Sequence, residues 1–167
     1  MKKLALIFIS LSLLTSCMSM MGYVTTSTTI RGDEYTNTKY YEKKINLPIR
    51  AFGAWQTVFR TDKSGKSIMI ADMMESNWYF IDRAYYIVDG VNYNYNAKDN
   101  KRDVVTANAV NEQILFDIPI EVIRKIAFSE VAKVDFRGSS GHKEFMLPNS
   151  YKEELKEYLR FMEKNSL

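Results

Sequence analysis

The 167-residue sequence contains one cysteine, one histidine and only three prolines. A single cysteine cannot form an intrachain disulfide, and a single histidine cannot supply the paired imidazoles of a common zinc site. The sequence also lacks a His-Glu-x-x-His motif, a Gly-x-Ser-x-Gly nucleophile turn and a glycine-rich phosphate loop. We therefore expect no cofactor, no metal site and no enzymatic activity.

An excess of one charge is missing as well. Lysine and arginine number 23 against 20 aspartate and glutamate residues, which gives a net charge of +3. Only one positive charge remains when Lys2 and Lys3 are left out of that balance. Without a basic surplus or a dense basic run, the chain is not expected to bind nucleic acid.

The amino terminus carries the most specific pattern of the sequence. Lys2 and Lys3 precede an apolar run over residues 4–14, which would form a helix about 16 Å long. A bilayer core is roughly 30 Å thick, so the run is too short to span it and is typical of a cleaved export signal. The run ends in Leu14-Thr15-Ser16-Cys17, where small residues precede the chain's one cysteine.

The segment Leu14-Thr15-Ser16-Cys17 resembles the lipobox of bacterial lipoproteins, and the likeness covers residues 1–17. The resemblance implies that the Cys17 sulfur carries a diacylglyceryl group, that the chain is cut before Cys17, and that the new amino group carries a fatty chain such as palmitate. Met18, in place of aspartate, implies an outer-membrane location if the bacterium has two membranes. The alternative is an ordinary secretory signal with an incidental cysteine.

These expectations divide the chain into a signal peptide over 1–16, a lipidated tether over 17–22 and a single α+β domain over 23–167. The first part of the domain has two interpretations, a solvated linker or a pair of strands over 24–30 and 35–45. We favour the strands because threonine and tyrosine have high β-propensity, with a turn at Arg31-Gly32-Asp33 between them.

A tight hairpin is predicted around Asp89 and Gly90, because Asp-Gly favours a type I′ turn in which both residues have positive φ. The flanking strands cover residues 78–88 and 91–95. Their predicted partners are Val88 with Val91, Tyr86 with Tyr93, and Ala84 with Tyr95.

The two faces of this hairpin differ in character. Strand alternation places Trp78, Phe80 and Asp82 on the inward, aromatic face. Four residues of the opposite face form a candidate ligand surface: Tyr85, Asn92, Asn94 and Asn96. Rings and amides suit glycan or peptidoglycan binding, although a solvated strand face is the simpler interpretation.

The remaining pattern predicts a mainly antiparallel α+β fold. Further strands are predicted over 54–60, 67–73, 111–118, 131–137 and 142–147, with a loop over 96–103. The last two strands form a second hairpin with Val134 opposite Phe145, on the inward face that also carries Phe136. In the strand 111–118, Ile114 and Phe116 are expected to point inward. A short helix is predicted near 119–127 and an amphipathic helix, packed on the sheet, near 150–164. Ser150 and Glu153 have the spacing of a capping box at the start of the second helix.

Asp82 and His142 are the residues to weigh as catalytic candidates. An aspartate held among aromatic rings would be desolvated, which raises a carboxyl pKa and suits a general acid. Asp82 could therefore serve a carboxylate-dependent envelope hydrolase, although an ion pair is the simpler interpretation. His142 lies next to a predicted hairpin loop and is expected to be a solvated turn residue.

The preferred hypothesis is a lipid-anchored cell-envelope protein with a non-catalytic binding or structural role. Its partners would be the membrane, through Cys17, and another envelope protein or peptidoglycan. From Ile114 onward, the order strand, short helix, hairpin and long helix resembles the closing half of small uncharacterised envelope lipoproteins. The alternatives are the hydrolase centred on Asp82 and a glycan-binding module.

Overall fold

The computed structural model describes residues 25–33, 38–48 and 53–165. In these ranges the strands are β1 (Thr29–Asp33), β2 (Thr38–Asn46), β3 (Ala54–Asp62), β4 (Ser67–Glu75), β5 (Ile81–Val88), β6 (Val91–Asn96), β7 (Asp99–Thr106), β8 (Ala109–Asp117), β9 (Ala132–Gly138) and β10 (Gly141–Met146). The helices are α1 (Ile120–Phe128) and α2 (Asn149–Lys164). The predicted signal peptide and tether lie outside the described residues.

The strands form two antiparallel sheets. Sheet A has six strands in the order β1-β2-β3-β4-β8-β7, and sheet B has four in the order β10-β9-β5-β6. The coarse prediction of an antiparallel α+β fold with a C-terminal helix is confirmed. In the described part of the chain, neither helix has the length and apolar character needed to cross a bilayer.

Aromatic side chains fill the space where the two sheets face each other. The Trp55 ring of sheet A lies 5.5 Å from the Phe136 ring and 5.1 Å from the Phe145 ring of sheet B, measured between centroids. Phe116 of β8 also contacts Phe136, at 6.3 Å. All four rings are buried, and burial of such large apolar surfaces dominates the stability of a core.

The two predicted hairpins are confirmed in register. Asp89 and Gly90 have φ of 47° and 83°, as a type I′ turn requires. Val88 pairs with Val91, and the two following pairs match the prediction. The register of the β9–β10 hairpin is also as predicted, with Val134 opposite Phe145.

Two local predictions along sheet A are wrong. Arg31-Gly32-Asp33 is not a turn, because these residues belong to β1 and pair with β2. Residues 96–103 are not a loop, because β7 begins at Asp99 and pairs with β8 along the edge of sheet A. Both strands are edge strands, where charged and polar residues are tolerated because one side of the strand faces solvent.

The alternation assumed at the beginning of β5 is also wrong. The pairing of β5 with β9 shifts register between Ile81 and Arg83. Simple alternation predicted that Phe80 and Asp82 point inward, but the side chain that is buried is that of Ile81. Trp78 and Phe80 precede the strand, and the Phe80 ring is exposed. A β-bulge of this kind re-aims side chains at a strand end.

Helix α2 covers part of the inner face of sheet A through paired hydroxyl groups. The Tyr151 hydroxyl lies 2.7 Å from Thr57 Oγ1, and the Tyr158 hydroxyl donates to Thr61 Oγ1 at 2.8 Å. The two tyrosines are about 10.5 Å apart along the helix and the two threonines about 13 Å apart along the strand, so both pairs form at once.

The predicted capping box at the start of α2 is wrong. Pro148 is the N-cap residue, and the helix start has no side-chain cap. Glu153 forms an ion pair with Lys156 instead, at 2.7 Å. The ring of Pro148 fixes φ just before the first turn, so the helix can begin there without a cap from the Ser150 side chain.

Candidate binding face on sheet B

The four residues of the predicted ligand surface lie together on the outward side of sheet B. Tyr85 of β5 is directly opposite Asn94 of β6, with Asn92 and Asn96 on either side of Asn94 along the strand. The three amides are exposed and the Tyr85 ring is half-buried. The structure therefore brings these residues to one surface.

Neighbouring strands extend this surface into a regular grid. Strand β9 pairs with β5 so that Asp135 lies opposite Tyr85, and β10 places Glu144 opposite Asp135. We call the complete set the open face, and its residues are Arg83, Tyr85, Ile87, Asn92, Asn94, Asn96, Lys133, Asp135, Arg137, His142, Glu144 and Met146.

The centre of the open face is a cluster of four side chains that contact one another. The Arg137 guanidinium lies over the Tyr85 ring, 4.5 Å from its centroid. Arg137 Nε also donates to Asp135 Oδ2 at 2.6 Å, and His142 Nδ1 lies 2.9 Å from Asp135 Oδ1. The Asp135 side chain is only 5% exposed, because the side chains that contact it cover it.

Positive and negative groups of the open face and its margin balance each other. Arg137 pairs with Asp135, and Lys133 pairs with Glu144 at 2.8 Å. Arg83, the third cation of the open face, pairs at 3.2 Å with Asp82, which lies at its margin. The hydrogen bond that Arg137 donates to the Asp135 carboxylate raises the pKa of Arg137. This balance gives no long-range attraction for a polyanion, so recognition here depends on hydrogen bonds and contact shape.

Sequence reasoning missed Lys133, Asp135 and Arg137 as members of this surface. The predicted inward positions of Val134 and Phe136 already imply that the residues between and beside them point outward. The missing information was that β9 lies next to β5, a pairing between segments that are far apart in the sequence.

Asp82 does not lie on the aromatic face, contrary to prediction. The β-bulge turns its side chain to solvent, where it is 58% exposed and pairs with Arg83 at 3.2 Å. The expectation of a desolvated general acid rested on burial, so that argument for a hydrolase centred on Asp82 no longer holds. His142 is exposed beside the β9–β10 turn, and its contact with Asp135 was not predicted.

Glu112 and Glu75 are two of the other buried carboxylates, and sequence reasoning missed both. Glu112 Oε1 accepts the backbone N–H groups of Tyr79 and Phe80 at 2.6 and 3.0 Å, and Glu112 Oε2 accepts that of Ile81 at 3.3 Å. Arg102 Nε also forms an ion pair with Glu112 Oε2, at 3.2 Å. Since Ile114 and Phe116 were predicted inward, the same alternation places Glu112 inside as well.

Glu75 is the second buried carboxylate and lies close to the Trp55 cluster. Trp55 Nε1 donates to Glu75 Oε1 at 2.7 Å, and Lys143 Nζ lies 3.4 Å from the same oxygen. Every contact of Glu75 and Glu112 named here joins two elements of the fold, which is a structural role. Among the described residues, no group of three or more His, Cys, Asp or Glu side chains could hold a metal ion.

Comparison with known proteins adds no family to these observations. No family model, curated protein or solved structure matches the chain.

Proposed function

We propose that this protein is a lipid-anchored component of the cell envelope, held by Cys17, with a non-catalytic role in which the open face docks to another envelope protein. The anchor follows from the lipobox resemblance of residues 14–17. Placement in the outer membrane, where there are two membranes, follows from Met18.

The observation that carries the docking proposal is the stack of Arg137 on Tyr85 at the centre of the open face. Tyrosine and arginine are enriched at the centres of protein interfaces, and a tyrosine ring offers a large contact area with only two side-chain torsions to fix. Asp135 holds the guanidinium in place, so little conformational entropy remains to be lost on binding.

The size of the open face favours a weak contact. The open face is four strands wide and about five residues long along each strand, which gives a surface of about 19 by 17 Å. This area is smaller than the roughly 800 Å² that each partner contributes to a stable complex. A weak partner is lost during washing, so covalent capture in intact cells is the suitable test.

The test uses a photo-crosslinking amino acid at Asn94 in the full chain. The matched control carries the same amino acid at Lys63, which is exposed in the turn between β3 and β4 of sheet A. We expect a discrete protein adduct from position 94 that is absent from position 63. Equal adducts from both positions, or none from position 94, would contradict docking through the open face.

The anchor is tested separately by Cys17→Ser. We expect the wild-type chain to sediment with membranes and to incorporate labelled palmitate, and the Ser variant to do neither. Palmitate labelling that persists in the variant would contradict the anchor at Cys17.

A glycan is the second candidate ligand, supported by the three exposed amides Asn92, Asn94 and Asn96 along β6. The Tyr85 ring is less suited to stack on a sugar than the sequence indicated, because Arg137 covers one of its sides. If the ligand is peptidoglycan, the adduct from position 94 disappears on digestion with a muramidase and survives protease treatment of the partner.

A further inference from the structure

The segment 76–80, which we call the aromatic loop, crosses from β4 of sheet A to β5 of sheet B and carries three consecutive aromatic residues. Trp78 and Tyr79 are half-buried, and Phe80 is 41% exposed. The Trp78 and Phe80 rings lie side by side with centroids 6.1 Å apart. Large rings presented together at a surface point to an apolar or interfacial partner.

The exposure of these rings is enforced by the backbone. Phe80 has a φ of 53°, a left-handed conformation that bulky residues avoid. The Glu112 carboxylate holds that conformation through the N–H groups of residues 79–81. A strained backbone conformation that persists only because its surroundings impose it is typical of functional segments. We therefore infer that the exposed position of the Phe80 ring has a function.

Two cations contact the rings of the aromatic loop, and both are paired with a buried acid. The Arg102 guanidinium lies 5.1 Å from the Phe80 ring centroid and pairs with Glu112. Lys143 lies 5.6 Å from the Tyr79 ring centroid and pairs with Glu75. Aromatic residues with flanking cations are typical of the membrane–water interface. Because both cations are paired with glutamates, little free charge remains to attract anionic lipids.

The first described residues of the chain lie at this end of the molecule. The Thr26 N–H donates to the Lys44 carbonyl near the end of β2, so Thr25 lies at the end of sheet A where β4 runs into the aromatic loop. Seven residues separate Cys17 from Thr25, which reach at most about 27 Å when extended. Strands β1 and β4 are about 14 Å apart across the sheet.

We propose that the aromatic loop is a second membrane contact, in which Trp78 and Phe80 enter the headgroup region of the bilayer that holds the lipid. This inference rests on the proposed anchor at Cys17. A short tether brings the loop to the surface, and the two rings then fix the orientation of the domain. Because Arg102 and Lys143 are paired, the contact does not depend on anionic lipid.

The test is quenching of tryptophan fluorescence by brominated lipid. The full lipidated chain is reconstituted into phosphatidylcholine vesicles that contain phosphatidylcholine brominated near the top of the acyl chain. Bromine quenches an indole only at contact, and Trp55, which is 3% exposed, serves as an internal reference inside the core. We expect loss of the Trp78 emission, and the same loss when phosphatidylglycerol is added to the vesicles.

Matched variants identify the source of the signal. Trp78→Phe leaves Trp55 alone and should remove the quenching. Phe80→Ser should weaken the quenching of Trp78, whereas Phe128→Ser should not, since Phe128 is 64% exposed but borders a cleft at the far end of β5. Circular dichroism of each variant shows whether the fold is retained.

The outcomes separate the loop from the anchor. Vesicle flotation of the chain with Trp78 unquenched overturns the loop contact and leaves the anchor intact. A wild-type chain that does not float with vesicles overturns the anchor and this inference together. Equal weakening in Phe80→Ser and Phe128→Ser also contradicts the inference.

Discussion

The inner face of sheet A and the outer face of sheet B carry similar polar residues that serve different ends. On sheet A, Thr57 and Thr61 meet the tyrosines of α2, and Glu112 meets three backbone N–H groups. On sheet B, Asn94 and Arg137 face solvent. A buried polar group must find its partner within the fold, whereas an exposed one is available to a second molecule. The first set therefore defines the structure and the second is the place to look for binding.

The largest difference in unfolding free energy should appear when one glutamate on each of the two faces is replaced by glutamine. Glu112→Gln turns an amide toward backbone donors and leaves Arg102 without its carboxylate, so we expect a loss of about 3 to 5 kcal/mol of unfolding free energy. Glu144→Gln removes a surface pair with Lys133 and should cost less than about 1 kcal/mol. Urea denaturation measures both, and equal losses would contradict the distinction.

The next largest effect on stability is expected where the backbone of β9 lies close to the backbone of the aromatic loop. A Cβ at Gly138 would lie 2.3 Å from the Tyr79 carbonyl oxygen and 2.4 Å from that of Phe80. Gly138→Ala must displace the loop, and we expect a loss of about 3 kcal/mol. Gly32→Ala is the control, because that position has open space around it. A Gly138→Ala chain as stable as wild type would show that the loop is not held against β9.

Alkaline pH should weaken the seam between α2 and sheet A. Burial raises the pKa of Tyr151 and of Tyr158 above the ordinary tyrosine value. A group whose pKa is higher in the folded state contributes stability that is complete below its unfolded pKa, near 10, and is lost as pH rises toward the folded value. Each tyrosine should contribute a loss of about 1.4 kcal/mol per pH unit in that window. Denaturation curves at increasing pH test this, and an unchanged slope in Tyr151→Phe would contradict it.

Hydroxyl removal near neutral pH separates a bonded tyrosine from an unbonded one. Tyr151→Phe deletes the hydrogen bond with Thr57 and should cost about 1 kcal/mol. The Tyr86 hydroxyl is also buried, but its contact with the Tyr151 hydroxyl lacks good hydrogen-bond geometry, so Tyr86→Phe should be less destabilising than Tyr151→Phe. Thermal unfolding of the two variants side by side decides the matter, and the reverse order would refute the assignment.

The smallest effect is expected on the open face itself. Asn94→Ala should change the unfolding free energy by less than about 0.5 kcal/mol, because the side chain is exposed. Asn111→Ala on sheet A removes donation to Asp72 Oδ1 and to the Met73 carbonyl and should cost about 1 kcal/mol. If Asn94→Ala proves the more destabilising of the two by urea denaturation, the open face has a structural role after all.

Local sequence signals predicted the parts of the fold that depend on neighbouring residues. Asp89 and Gly90 set the register of their hairpin because the turn alone fixes it, and four residues of the open face follow from that register. The β-bulge at Asp82 was not predictable in this way. It arises where Glu112, thirty residues further along the chain, holds the backbone before β5. The same limit applies to Arg137, whose place beside Tyr85 depends on which strands become neighbours.

Edge strands were the other source of error. Strand β7 carries four charged residues, Asp99, Lys101, Arg102 and Asp103, and therefore has the composition of a loop. Only its pairing with β8 makes it a strand, and no property of the segment by itself signals that partner. Sequence patterns thus predicted the protected interior more reliably than the margins.

The most direct test of the account is the intact mass of the mature amino-terminal peptide from membranes of a bacterium that expresses the full chain. We expect a chain that begins at Cys17 and carries a diacylglyceryl thioether together with an acylated amino group. A free thiol at Cys17, or a chain that begins at another residue, would contradict the anchor on which both the docking proposal and the membrane contact of the aromatic loop depend.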